Sequence, residues 1–367
     1  MMGLLRSILP AAAALPLIAS GPAWAATAPP AGSARAAATA AASISATRCA
    51  QNRAGGTITF LTSFAYAATS GILDVLAAQQ LGFFDALCLK VNIEPGSTNA
   101  QLLSAGTAQL AGLGDASSVL VAIDNGAAIT GLLTYGNTSA IELITLKSRN
   151  IKSLAELAGK TIGYKVAPAP QISAMLVAAH VPIDSINFVS VGFNPASLAN
   201  GSVAALIAYK SNEPRILAAQ GTAVTEWDPE TYGIHSTFNV LVANRKFAAA
   251  HPTAVQDFLR ATLHAFAWIN QSDANLDRAL TFAQTLSTAG FDMAGSRERW
   301  KIEARLIATS QPANAPFGHT DDAQWQPEAD MLMRARLVGR PPVVASAHDN
   351  SYIDAIYNGK ALIWPAP

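Results

Sequence analysis

Residues 57–62 read TITFLT, residues 70–80 read SGILDVLAAQQ, and residues 89–94 read LKVNIE. The first segment is rich in β-branched and aromatic residues, which suits a strand. The second carries apolar residues at helical spacing and is followed by Gly82, a helix stop. The third alternates apolar and polar residues and is a second strand. This strand–helix–strand order decides the fold class, because a parallel pair of strands needs a helical crossover between them.

Working outward, the same alternation recurs. Short helices are predicted over 99–105 and 116–125, and strands over 110–114, 129–135 and 141–147. Ser153, with Glu156 three residues on, has the spacing of a capping box at the start of the helix 153–158. Strands then fall over 161–165, 187–191, 204–209 and 238–243, with helices over 171–180 and 196–200. Pro252 opens the longest helix, 252–270, at an early position where its missing N–H is not needed. The chain beyond is helical with irregular joints. The pattern predicts an α/β fold of two lobes, each a mostly parallel sheet flanked by helices, with the chain crossing over and returning.

Composition limits the function. The 367 residues include 24 Lys+Arg and 24 Asp+Glu, and only 13% are charged against 51% hydrophobic. Zero formal net charge argues against nucleic acid or an anionic membrane as the main partner. Residues 1–25 (MMGLLRSILPAAAALPLIASGPAWA) have a basic residue, Arg6, an apolar run broken by Pro10 and Pro16, and Ala23-Trp24-Ala25 at the end. This is the pattern of a Sec-type signal peptide cleaved near Ala25, which sends the chain to the periplasm. Residues 26–50 are about half Ala and lack large apolar residues except Ile44, so an unstructured tether is expected there.

Export bears on the two cysteines. Cys49 precedes the first strand and Cys88 the second. If those strands are neighbours, the two come within disulfide range, and an oxidising compartment favours pairing over two free thiols. No His has a context tying it to either Cys, so no nucleophilic thiol is expected. No zinc spacing, P-loop, dinucleotide fingerprint or G-x-S-x-G is found, and neither a metal, a cofactor nor a catalytic residue is predicted. The paired acids Asp321-Asp322 read as a solvated turn.

Three segments carry a resemblance. Leu81-Gly82-Phe83-Phe84 is followed by Leu89–Ile93 and then Gly96-Ser97. Residues 151–163 read IKSLAELAGKTIG, and residues 251–261 read HPTAVQDFLRA. In this order they resemble the periplasmic substrate-binding proteins of ABC importers, in the branch of nitrate, sulfonate and taurine binders and binders of thiamine pyrimidine precursors. The resemblance covers about residues 57–270. It implies a type II periplasmic-binding fold, with lobe I from 51–138 and 244–367, lobe II from 139–243, and a hinge through 135–140 and 236–243. It also implies a monomer that delivers a small solute to permease subunits in the inner membrane.

Ligands of open α/β sheets sit beyond the carboxyl ends of the strands. That rule nominates Ser63, Phe64 and Tyr66 after the first strand, Ser97, Thr98 and Asn99 after the second, and Asp115 and Ser117 after the third. It adds Tyr135 and Asn137 at the hinge, and Lys165, Phe193, Asn194, Asn212, Glu213 and Trp227 in lobe II. Pro168-Ala169-Pro170 stands where relatives of the resembling branch carry Gly and Ser or Thr. Proline removes backbone donors, which disfavours an anion there. Tyr209–Pro214 (YKSNEP) resembles the turn of the pyrimidine-precursor binders, where a carboxylate faces the ligand's amino group. Glu213 is therefore either a ligand contact, accepting from an amine, or a helix cap. Phe64, Tyr66, Phe193 and Trp227 are candidates to pack a flat ring. The expected ligand is pyrimidine-like or amine-bearing. A sulfonate, nitrate or taurine-type anion is the alternative, and an exported enzyme or a sensory protein on the same scaffold is the alternative class.

Overall fold

The computed structural model describes residues 44–165, 168–192, 194–287 and 290–367. The predicted signal peptide, most of the predicted tether and Phe193 lie outside these residues.

Ten strands form two five-stranded sheets. The first comprises β1 (Thr57–Thr62), β2 (Lys90–Pro95), β3 (Leu110–Leu113), β4 (Ile129–Gly136) and β10 (Phe238–Asn244), in the order β2-β1-β3-β10-β4. The second comprises β5 (Ile141–Leu146), β6 (Thr161–Tyr164), β7 (Asn187–Ser190), β8 (Ala205–Tyr209) and β9 (Val224–Trp227), in the order β7-β6-β8-β5-β9. β1 pairs in parallel with β2 and β3, and β6 with β7 and β8. In each sheet one strand runs against the rest: β10 against β3 and β4, β5 against β8 and β9. Each of these is the first strand laid down after the chain crosses from the other sheet. The sheets are therefore mixed, with four of their five strands in one direction.

The return crossing falls earlier than expected. Phe238–Asn244 lies inside the first sheet, with all seven residues buried, so residues 238–243 belong to lobe I rather than lobe II. A strand whose centre is the apolar run of residues 240–243 gains more by burial on both faces between β3 and β4 than it would as a hinge. The tether also ends earlier than expected. Ala46–Ala54 is a helix capped by Ser45, whose hydroxyl accepts from the Arg48 N–H.

That helix is held by two devices. Cys49 and Cys88 form a disulfide, with Cα atoms 5.3 Å apart, as the parallel β1–β2 pairing permits. Arg48 reaches across to Asp257, which is fully buried on the helix Pro252–Ile269 and also accepts from Asn52 and Arg260. Arg260 donates in turn to the Ile363 carbonyl, so one buried carboxylate ties both ends of the described chain to the long helix.

The helical tail covers the first sheet, and Phe60, Phe84 and Phe258 stack within its core. The capping box at Ser153 and Glu156 forms, on a short 3-10 turn rather than an α-helix. Asp321 caps the helix Asp322–Arg334 instead of standing in a solvated turn. Among the described residues no helix is long and apolar enough to cross a membrane.

Candidate functional site

The carboxyl ends of β1 and β8 face each other across the gap between the sheets. Phe64, just beyond β1, meets the Tyr209 ring at the end of β8 edge-on at 6.3 Å. A cavity of about 640 Å³ opens beside this contact. Lobe I lines it with Tyr66, Phe291, Ser296 and Arg299, and lobe II with Asn212 and Arg215.

The lobe II wall is built on a buried ion pair. Lys165 Nζ lies 2.6 Å from Glu213 Oε1 and 4.2 Å above the Tyr209 ring. Glu213 is 1% exposed. Its Oε2 accepts the Tyr209 N–H at 2.7 Å and its Oε1 accepts the Asn212 amide at 3.0 Å. Both alternatives read from the sequence thus bear on one residue. Glu213 starts the helix Glu213–Ala219 and fastens it to β8, while its charge is answered by Lys165. An amine that sought this carboxylate would have to displace Lys165. Burial lowers the Lys165 pKa, Glu213 opposes the shift, and the nearby Arg299 charge adds to it. Burial pushes the Tyr209 phenol up to about 12, with the Asp115 charge adding to the effect.

Three further carboxyl groups lie in lobe I, Glu303 and Glu328 among them buried. Asp115 caps the helix Ala116–Asp124 through the Ser118 N–H and hydroxyl. Desolvation raises its pKa, opposed by Ser118 and by Gln171 from the other lobe. Glu328 takes four donors, the N–H and hydroxyl of Ser117 and of Thr237, and so clamps the return crossing onto lobe I. Burial raises its pKa to about 8. Glu303 accepts from Thr69 and Asn239, and burial raises its pKa against the Arg299 charge.

The structure sorts the residues nominated from the sequence. Tyr66 and Asn212 line the cavity; Phe64 and Glu213 are chain neighbours of lining residues, and Lys165 is paired with Glu213. Asn99 does not face it: its amide is buried and donates to the Thr62 and Gly112 carbonyls, bracing β1 against β3. Ser117 is buried on Glu328. Tyr135 is wholly buried in the core, its hydroxyl on Asp74 at 2.5 Å, because β4 is covered on both faces. Trp227 sits on the edge strand β9 and donates to Thr145. Asn194 accepts the Ala196 N–H just ahead of the short helix Ala196–Ala199, whose N-cap is Pro195. Ser63, Ser97 and Thr98 lie outside the cavity wall, the last two exposed. Asn137 is at the outgoing crossing, with its side-chain amide buried and unpartnered among the described residues.

Sequence reasoning missed Arg215, Phe291 and Arg299. Arg215 follows the nominated Glu213 by two residues, so the turn was located but not its inward-facing cation. Phe291 and Arg299 belong to the helical tail, where no strand end points to them. Nothing local separates Arg299 from Arg297, which faces away toward Asp277. Among the described residues no group of three or more His, Cys, Asp and Glu is placed to hold a metal.

Known proteins share this fold. The sequence is 28% identical over 231 residues to a protein of Haemophilus influenzae named "Putative thiamine biosynthesis protein", covering 58% of this chain and 73% of that one. The periplasmic aliphatic sulphonate binding protein SsuA from Escherichia coli superposes with a TM-score of 0.59 at 16% identity, over 85% of this chain and 96% of that one. The desulfurization enzyme DszB superposes at 0.53 and 14% identity, over 81% and 98%. At such identities both likenesses concern the fold, which is that of the type II periplasmic binding proteins. The family described as "NMT1/THI5 like" matches residues 70–274, and the chain belongs to it.

Proposed function

We propose that the protein is the extracytoplasmic solute-binding component of an ABC importer, closing its two lobes over a small polar solute without making or breaking a bond. The observation that carries this reading is the cavity of about 640 Å³ walled by both lobes. A solute that touches both walls binds the closed arrangement better than the open one, and so shifts the population toward it. The family match and the fold of the sulphonate-binding protein support the same reading.

The preferred solute is pyrimidine-like, of the thiamine-precursor type. The relative named for thiamine biosynthesis supports this, as do Tyr66 and Phe291 on the cavity wall, which suit a flat ring. Recognition of an amino group by Glu213 would require Lys165 to move. A sulfonate-type anion is the second solute class. In this reading residues 1–25 direct export to the periplasm, and the partners are the solute and permease subunits in the inner membrane, with the binding protein a monomer.

Thermal-shift screening of the purified protein against pyrimidines, amines, sulfonates and nitrate tests the proposal. A rise in Tm with pyrimidines is expected, since a ligand bound only by the folded state stabilises it. Stabilisation by sulfonates alone would transfer the protein to the second class. Turnover of a screened compound would favour an enzyme, the class that the fold of the desulfurization enzyme keeps open. No stabilisation by any compound would count against solute binding altogether.

A further inference from the structure

The cavity carries two arginines that the sequence reading did not nominate, one from each lobe. Arg299 lies on the helix Met293–Ser310 of lobe I, and Arg215 on the helix Glu213–Ala219 of lobe II. The Nε of each is buried and has no hydrogen-bond partner among the described residues. Lys165, on the lobe II side, is already paired with Glu213.

We propose that Arg215 and Arg299 form an anion subsite that takes a carboxylate, sulfonate or phosphate group of the solute between the two lobes. The inference rests on the solute-binding reading above and specifies the chemistry of that solute. A guanidinium presents a fixed fork of donors that matches the oxygens of such groups, and it keeps its charge when desolvated. Two forks on opposite walls give one anion contacts to both lobes, which favours closure.

The carboxylates nearby leave room for this. Asp292 stands 3.7 Å from Arg215, a loose contact, and is itself 63% exposed at the side chain while it caps the helix Met293–Ser310. Glu303 is one turn along from Arg299: its Oε1 accepts from Thr69, Ser70 and Asn239, and its buried Oε2, without a hydrogen-bond partner among the described residues, is the carboxylate oxygen that competes with a solute anion for Arg299. Gly295 permits the approach of the lobes at this point. A Cβ there would stand 2.5 Å from Arg215 Nη2. Tyr66 and Phe291 share the wall, so the anion belongs to an organic molecule with an apolar or ring portion.

The test is calorimetric titration of the purified protein with matched probes: 4-aminopyrimidine against 4-aminopyrimidine-5-carboxylate, ethanesulfonamide against ethanesulfonate, and ethanol against ethyl phosphate. At least one anionic member is expected to bind tenfold or more tighter than its neutral partner, and which member does so identifies the anion. Arg299→Gln and Arg215→Gln should each remove most of that preference. Arg299→Lys should restore part of it, and Arg297→Gln, on the same helix but directed at Asp277, should leave it unchanged. Circular dichroism checks folding; if Arg299→Gln does not fold, Arg215→Gln decides. Equal binding of neutral and anionic partners, a preference that survives both glutamine substitutions, or no binding by any anionic probe overturns the inference. The thermal-shift screen reports on solute binding separately, so neutral pyrimidines that stabilise the protein would leave the function standing while this subsite falls.

Discussion

The two sheets share a strand order and differ in depth. In the first, β4 and β10 are buried along their whole length. In the second, no strand is buried throughout, and β7 and β9 have no fully buried residue. The first sheet lies under the long helix Pro252–Ile269 and the rest of the helical tail, and it is stapled by a disulfide and by the Asp257 network. The second rests on smaller cores around Met175 and Leu217 and on one buried ion pair beside the cleft. The same topology therefore yields a heavily covered lobe and a lightly covered one. The proposed binding by closure would use this contrast, the lighter lobe moving against the heavier one. Regions with few buried contacts open at lower free energy.

That comparison can be broken. Asp257→Ala strands the buried Arg260 and leaves the N-terminal helix without its ion pair but still held by the disulfide; it should cost about 3–5 kcal/mol, as breaking a buried pair does. Hydrogen exchange should show the loss in the first sheet. A uniform loss over both sheets would mean that the lobes are one cooperative unit. Lys165→Met leaves Glu213 buried without its cation, and should cost about 3 kcal/mol, read as lost protection in β6 and β8. Reduction of the disulfide, or Cys49→Ser with Cys88→Ser, should cost about 2–4 kcal/mol by releasing the denatured chain, with the effect again confined to lobe I.

Smaller effects sharpen the contrast. Burial raises the Asp74 pKa to about 7, against its hydrogen bond from Tyr135. The folded state therefore holds a proton that the unfolded state releases near pH 4, and stability should fall as pH rises from about 4 to 7. Thermal melts across that range should show a Tm declining by several degrees, and Asp74→Asn should make the decline shallower, the remainder coming from other buried carboxyls such as Glu328. A flat wild-type profile would show that the buried carboxyl ionises without penalty. Ser153→Ala removes one half of a capping box on an exposed turn, and should cost about 1 kcal/mol, within lobe II alone.

Much of the fold was legible because the strands are apolar and their helices are punctuated. Thr57–Thr62 was located to the residue, and Ile129–Gly136 and Pro252–Ile269 to within one. Val224–Trp227 escaped notice: an edge strand of four residues with Glu226 in its middle has no apolar run to reveal it. Of the candidate site, the rule of carboxyl strand ends nominated Tyr66 and Asn212, which line the cavity, and Phe64, Lys165 and Glu213, which adjoin lining residues in the chain or through the ion pair. It also nominated Asn99, Ser117 and Tyr135, whose polar atoms are consumed by internal partners, because chain position shows proximity to a strand end but not which way a side chain faces.

The sequence by itself determined that strands and helices alternate, that the chain crosses between two sheets and returns, and that Cys49 and Cys88 can pair if the strands that follow them are neighbours. Each follows from local periodicity and short-range connection rules. Only the tertiary structure decided that Glu213 is answered by Lys165 from another strand, and that Arg299, some eighty residues further on, faces the same cavity as Arg215. Charges pair across space according to which surfaces burial forces together, and a linear pattern does not encode that partner.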